Sequence, residues 1–221
     1  YANRILAPYL NEVMLMIEEG AEIEKIDRAM KKKGMPVGPI ALMDEVGIDV
    51  GAHVMSGDIA EVVKSREGLT VSTGLLKMFE AGYLGKKNKK GYYRYDGKNG
   101  KRSGANPEAY KFFGNPQKKE FSYDDLTLRP LLLMINEAIM CLEEGILANP
   151  TDGDLGAIFG LGFLPFTGGP FRFTDSFGPA VLVELMHKYA NDLTEKFRPR
   201  PLLVEMAEQG KLFYPEVKEA E

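Results

Sequence analysis

The sequence has no tryptophan, one cysteine and two histidines, and each scarcity removes a class of chemistry. A single thiol, Cys141, forms no disulfide within the chain and fits a reducing compartment. It sits among Ile139, Met140 and Leu142 in a helical run, where a core role is expected. His53 and His187 fall in amphipathic patterns without metal-ligand spacing, and no Ser-His-Asp or Cys-His order offers a nucleophile. There is no P-loop. Gly160-Leu161-Gly162 begins like a dinucleotide fingerprint, but position 165 is proline and no strand precedes it, so it reads as a helix stop and tight turn. No apolar run reaches the roughly 18 residues needed to span a bilayer, and no signal peptide is evident. A net charge of -4 lacks the dominant basic face of a general nucleic-acid binder.

What is present is a helical protein. The 221 residues are 44% hydrophobic and 27% charged, enough to bury a core in one or two domains. Ile5, Leu6, Tyr9, Leu10, Val13, Met14 and Ile17 recur at helical spacing, so a long helix ends at Gly20, with a kink or irregular turn expected at Pro8. Tyr1 opens this pattern without a capping residue, which reads as a fragment of something longer. A second helix runs from about Glu22 to Lys33, and Pro39 starts a third that ends at Gly47. Asp49 is expected to cap a fourth reaching to about Arg66. Ser72 or Thr73 then caps Leu75 to Tyr83, with Leu76, Phe79 and Tyr83 as its buried stripe. Tyr92 to Tyr95 reads as a short extended piece, and 96–106 as loop or linker. Ser122 with Asp125 is a capping box for a new long helix. Amphipathic helices from about Pro179 to Lys196 and Leu202 to Glu208 finish the chain.

The second half repeats the first. At an offset of 125, Arg4, Leu6, Asn11, Glu12, Glu18, Glu19 and Gly20 meet identical residues, from Arg129 to Gly145. At 131, Gly38, Pro39, Asp44 and Gly47 meet Gly169, Pro170, Asp175 and Gly178. The expected fold is all-α: two tandem related helical domains, 1–105 and 106–221, packed as a pseudo-dimer.

Retention and loss between the copies sort the polar residues. Asn11 and Asn136 are kept in both, which predicts a structural task such as hydrogen-bonding backbone. Asn3 is not kept, because its counterpart is Leu128. An amide there can hold a substrate oxygen as its charge changes, or serve only as a polar residue at a helix start. Lys86, Lys87, Lys89, Lys90 and Arg94 read as a solvated turn, with an anion site for a phosphate-bearing ligand as the sharper alternative. Tyr92, Tyr93 and Tyr95 read as core, with stacking on a base as the alternative.

NRILAPYLNE, PVGPIALMDEVGID, LGKKNKKGYYRY, NEAIMCLEEGI and FGLGFLPFTGGPFRFTDSFG, in that order, resemble the C-terminal part of the 3-hydroxyacyl-CoA dehydrogenase family. The two-copy form resembles the α subunit of the multifunctional fatty-acid oxidation complex. The resemblance implies an NAD-dependent oxidoreductase of β-oxidation, with a Rossmann NAD domain and an enoyl-CoA hydratase domain ahead of Tyr1. The family's catalytic histidine and glutamate belong to that Rossmann half, so no certain catalytic residue, no NAD-binding residue and no metal ligand is expected here, and the chain alone should be inactive. The resemblance puts the family's substrate-binding asparagine on Asn3 and a substrate-approaching tyrosine on Phe159, where only an apolar contact survives. It implies an acyl-CoA substrate, a thiolase β subunit as partner, no nucleic acid, no transmembrane segment, and a bacterial cytoplasmic location, with the mitochondrial matrix side as alternative. A helical module for assembling α with β, or a free-standing acyl-CoA binder using the lysine turn, are the rival readings.

Overall fold

The computed structural model describes residues 1–57, 59, 61, 64–96 and 100–215. The first unit begins with α1 (Ala2–Glu18), which runs through Pro8 and buries Ile5, Tyr9, Val13 and Ile17 completely. It continues with α2 (Ile23–Lys33), α3 (Pro39–Val46), α4 (Ile48–Val54) and α5 (Gly74–Glu80). A hairpin of β1 (Tyr93–Asp96) and β2 (Lys101–Ala105) follows, with Tyr93 opposite Ala105 and a bulge between Arg94 and Tyr95. The second unit has α6 (Tyr123–Glu143), α7 (Pro150–Leu161), α8 (Pro170–Phe177), α9 (Pro179–Asp192) and α10 (Pro201–Gln209). As the capping box requires, Ser122 Oγ accepts the Asp125 N–H at 2.9 Å to start α6.

The two units are related helix by helix and share one core, whose centre is α1 packed along α6. Their ion pairs are reciprocal. Arg4 reaches Glu137 and Glu144 across the contact, and Arg129 reaches Glu12 and Glu19. Every member of one set sits 125 residues from its counterpart in the other, so the contact is isologous, as in a two-fold dimer, and the helices run antiparallel. This is an all-α fold of two related units packed as a pseudo-dimer, and the hairpin is its only sheet among the described residues.

Inside each unit the same carboxylates hold the same turns. Asp27 accepts N–H groups of Ile40 and Ala41 at the start of α3, at 2.8 and 2.9 Å, and the Tyr93 hydroxyl at 2.6 Å. Asp154 does this for Phe171, Arg172 and Tyr214. Gly38 and Gly169 lie so close to these carboxylates that a Cβ on either would collide with them. Asn11 donates to the Thr70 carbonyl and accepts the Ser72 N–H at 2.8 and 2.9 Å, and Asn136 does so for Arg198 and Arg200 at 2.9 and 3.0 Å. The retained amides are clamps on the loop that enters α5 or α10.

Four expectations need correction. The stretch after Asp96 is not simply loop: Lys101–Ala105 pairs with β1, because the strand is specified by its partner rather than by an apolar alternation of its own. Residues 97–99 of it lie outside the described residues. In α5 the buried residues are Leu75 and Met78, whereas Phe79 is 43% exposed. Two turns of helix offer two candidate apolar faces, and packing of Gly74 against the Phe113 ring selects the other one. The fourth helix starts at Ile48 after Gly47, so Asp49 lies in its first turn instead of capping it, and it ends at Val54 with Met55 as its C-cap; part of the remaining stretch to Arg66 (58, 60, 62 and 63) lies outside the described residues. The ninth helix, α9, stops at Asp192 instead of Lys196, and a 3-10 turn, Glu195–Phe197, replaces its last turn.

The segment that follows the hairpin lies on the first unit. The 3-10 turn Pro107–Phe113 sets Phe112 edge-on to Tyr83 and Phe113 beside Tyr92, at 4.9 and 5.9 Å between centroids. Tyr110 Oη accepts the Ile23 N–H at 3.0 Å, and Lys119 N donates to the Gly20 carbonyl.

Candidate functional site

Asn3 stands in the first turn of α1, exposed, and no hydrogen bond to its side chain is present among the described residues. Beside it α1, α3, α4 and α5 enclose a cavity of about 140 Å³. Among the described residues that line it, Asn3 contributes the only polar side chain, and the rest are aliphatic, glycine or methionine. Val46 and Val50 are exposed at its edge, while Met14, Ile48 and Leu75 are buried at its floor. An apolar pocket with one directional polar group is the usual architecture of a small-ligand site.

The second unit does not reproduce these side chains. At the offsets already established, Asn3, Ala7, Leu42, Val46 and Gly51 correspond to Leu128, Leu132, Phe173, Phe177 and Leu182. Each replacement is apolar and bulkier. Leu132 and Leu182 are fully buried, and the rings of Phe173 and Phe177 stack at 5.5 Å. Sequence comparison of the copies singled out the lost amide. The four accompanying gains of volume carried the same message, and they were the signal by which the cavity could have been found.

Phe159 lies elsewhere. It is on α7, 84% exposed, and does not line the cavity. Its neighbours Gly156 and Gly160 face the start of α1: a Cβ on the first would sit 3.2 Å from the Tyr1 ring, and on the second 3.8 Å from the Ala2 Cβ. The two predicted site residues therefore flank the same end of α1 from different units without sharing a pocket.

The lysine turn is largely committed within the fold. Lys86 pairs with Glu45 at 2.7 Å and Lys87 with Asp49 at 2.8 Å, which fastens the turn to α3 and α4. Asn88 accepts the N–H groups of Leu84 and Lys90 and donates to the Gly82 carbonyl, so it organises the turn from within. Tyr92, Tyr93 and Tyr95 are buried, as core residues should be, and Cys141 is fully buried. Gly162 ends α7 in the left-handed conformation at φ 71°, which makes the Gly160-Leu161-Gly162 run a helix stop.

Behind the cavity wall, Asp44 on α3 is completely buried and accepts the Tyr92 and Tyr93 N–H groups and the Tyr95 hydroxyl, each at 2.9 Å. Burial outweighs these hydrogen bonds and pushes its pKa up to about 6. The sign follows from linkage. The folded state takes up a proton as pH falls through 6, while the unfolded chain waits until about 4. Asp44 therefore adds stability on acidification, about 1.5 kcal/mol between pH 7.5 and pH 5. Urea unfolding across that range should show this gain in the native sequence and its loss in Asp44→Asn. A native chain that weakens steadily from pH 7.5 to 5 would contradict it.

Residues 1–95 and 126–219 each match the family described as 3-hydroxyacyl-CoA dehydrogenase, C-terminal domain. The chain belongs to that family. Two matched stretches in one chain are the two units seen in the fold.

Among curated relatives, the fatty acid oxidation complex subunit alpha of Vibrio vulnificus is 44% identical over 214 residues, 97% of this chain and 30% of the relative. The subunit of the same name from Shewanella loihica is 42% identical over 217 residues, again 97% and 30%. The chain thus spans about a third of the length of these relatives. Among solved structures, 3-hydroxybutyryl-CoA dehydrogenase from Escherichia coli K12 superposes with a TM-score of 0.73 at 19% identity, covering 94% of this chain and 59% of that one. The dehydrogenase part of a multifunctional enzyme from C. elegans gives 0.66 at 18%, covering 92% and 46%. These two show the fold. No helix among the described residues is long and apolar enough to cross a membrane.

The glycine pair that resembles a dinucleotide fingerprint, Gly160-Leu161-Gly162, ends α7 and does not form the phosphate-binding turn between a strand and a helix that the fingerprint makes for a nicotinamide dinucleotide.

Proposed function

We propose that the chain is the acyl-CoA-side helical part of an NAD-dependent 3-hydroxyacyl-CoA dehydrogenase of fatty-acid oxidation. The observation that carries this is the unpartnered amide of Asn3 at the mouth of an apolar cavity, in the one unit that keeps both. The amide would donate to the substrate's 3-oxygen, and Phe159 would offer an apolar contact from the other unit. NAD and the proton acceptor would come from a dinucleotide domain outside these residues, and an enoyl-CoA hydratase domain would share the full-length protein. No step of the reaction is assigned to residues of this chain beyond orienting the substrate. The purified 221-residue chain should therefore give no turnover of acetoacetyl-CoA with NADH, and measurable turnover would overturn the reading.

A second role has its own observation. Phe159 and Phe166, at 84% and 73% exposed, are large apolar rings left in water, and surfaces of that kind mark contacts with other proteins. Assembly with a thiolase β subunit is the corresponding reading, since the relatives are named as subunits of a complex. A bacterial cytoplasmic site of action accords with those relatives. Co-purification of the chain with such a subunit, lost in Phe159→Ser with Phe166→Ser, is the check. The division into 1–105 and 106–221 also stands as a proposal, in which 106–121 straps the first unit. Limited proteolysis should then cut ahead of Ser122 first.

A further inference from the structure

We infer that the cavity beside Asn3 is a measuring pocket for the alkyl tail of the thioester substrate, and that Gly51 sets its depth. The inference rests on the reading of the site given above and deepens it. Apart from Asn3, the described residues that line the cavity are apolar, so a hydrocarbon can enter without stranding a polar group. The single polar side chain, Asn3, is exposed at the end where a thioester or its 3-oxygen would remain. Met14, Met43 and Met55 line the interior, and unbranched thioethers re-pack around chains of varied shape. The volume of about 140 Å³ is close to that of an engineered apolar cavity of about 150 Å³ that stays dry and takes benzene. That corresponds to a tail of about six carbons.

Gly51 is the residue that keeps the space open. It lies inside α4 with ordinary helical backbone, where glycine costs stability relative to alanine by about 1 kcal/mol. No positive φ requires it, unlike Gly47 at φ 115°. A Cβ there would stand 3.2 Å from Leu75 Cδ2, closer than ordinary van der Waals contact, so a side chain at 51 must displace Leu75 or fill the space that both residues line. The second unit shows the alternative: Leu182 at the equivalent position is fully buried, and Phe177 replaces Val46. The unit with the amide has the hollow, and in the other unit the counterparts of Ala7, Leu42, Val46 and Gly51 are bulkier.

The test uses the 221-residue chain carrying ¹³C-methyl methionine, titrated with straight-chain alcohols from butanol to decanol. The Met14, Met43 and Met55 methyl signals should move while those of Met134 and Met206 stay fixed. Affinity should rise about fourfold per methylene, the equivalent of about 0.8 kcal/mol per buried CH₂, and level off near six carbons. Gly51→Leu should abolish the shifts. Val46→Phe, at a position 49% exposed and therefore tolerant, should weaken them by tenfold or more, and guards against a misfolded first variant. In the full-length enzyme, Gly51→Leu should lower kcat/KM for six- and eight-carbon substrates at least tenfold more than for the four-carbon one. Binding that ignores both substitutions, or methyl signals that never move, would overturn the inference. That failure is separable from failure of the site reading, which depends on Asn3 and on turnover with the four-carbon substrate.

Discussion

Replacing Arg129 by alanine is expected to cost about 3 kcal/mol of stability, by removing a charge buried across the interface between the units. Arg129 is 3% exposed and binds Glu12, which is fully buried, through Nε at 2.8 Å and Nη2 at 2.6 Å. It also grips Glu19, whose carboxyl it holds below the usual range although burial alone would raise it. Truncation leaves Glu12 in the core with only Lys196, at 2.6 Å, for company. Taking away one member of a buried pair strands the other, a cost of about 3–5 kcal/mol, and the remaining lysine brings the expectation to the lower end. The pseudo-equivalent change, Arg4→Ala, should cost about 1–2 kcal/mol, because Glu137 keeps Arg66 at 2.8 Å and Glu144 is partly solvated. Urea unfolding of the two variants is the measurement. Equal losses, or less than 1 kcal/mol for Arg129→Ala, would mean that the reciprocal pairs decorate the contact instead of holding it. The joint replacement Arg129→Leu with Glu12→Leu should not recover the loss, since Lys196, 5% exposed and paired with Glu12, would then be the charge left stranded.

Asn3→Ala in the full-length enzyme should lower kcat by about 10²-fold with little change in KM or in the urea midpoint. The magnitude is that of removing one preorganised donor to an oxygen whose charge develops in the transition state. A donor used only then moves kcat and kcat/KM together. Folding should be indifferent, because Asn3 is exposed and its amide has no partner among the described residues. Asn3→Leu reproduces the second unit's Leu128 and should be at least as inactive as the alanine variant while remaining folded. An unchanged kcat in either would remove Asn3 from the chemistry and leave it as a helix-start residue. A raised KM with kcat intact would make it a binding contact only.

The periodicity of apolar residues placed α1, α2, α3 and α6 from the sequence, because long amphipathic helices carry their own signal and their stops are glycines. The offset of 125 carried the pseudo-dimer, since the identical residues are those that must pair across it, Arg4 with Glu137 and Arg129 with Glu12. It also separated Asn11 and Asn136, kept as loop clamps, from Asn3, which has no second copy. Short elements escaped. The seven residues of α5 fit two apolar faces, and only the Phe113 ring against Gly74 chose between them. The polar strand Lys101–Ala105 exists because β1 is there to pair with it. Asp27 meets Tyr93 across 66 residues and Asp44 meets Tyr95 across 51, contacts that no local pattern encodes.

The sequence by itself therefore determined the long helices, their duplication and the α1 amide that the second copy lacks, all properties of spacing along the chain. Only the tertiary structure decided that this amide opens onto a hollow. A cavity is the space left when four helices meet, and its size depends on volumes brought together from Ala7, Leu42, Val46 and Gly51, residues that touch only after folding.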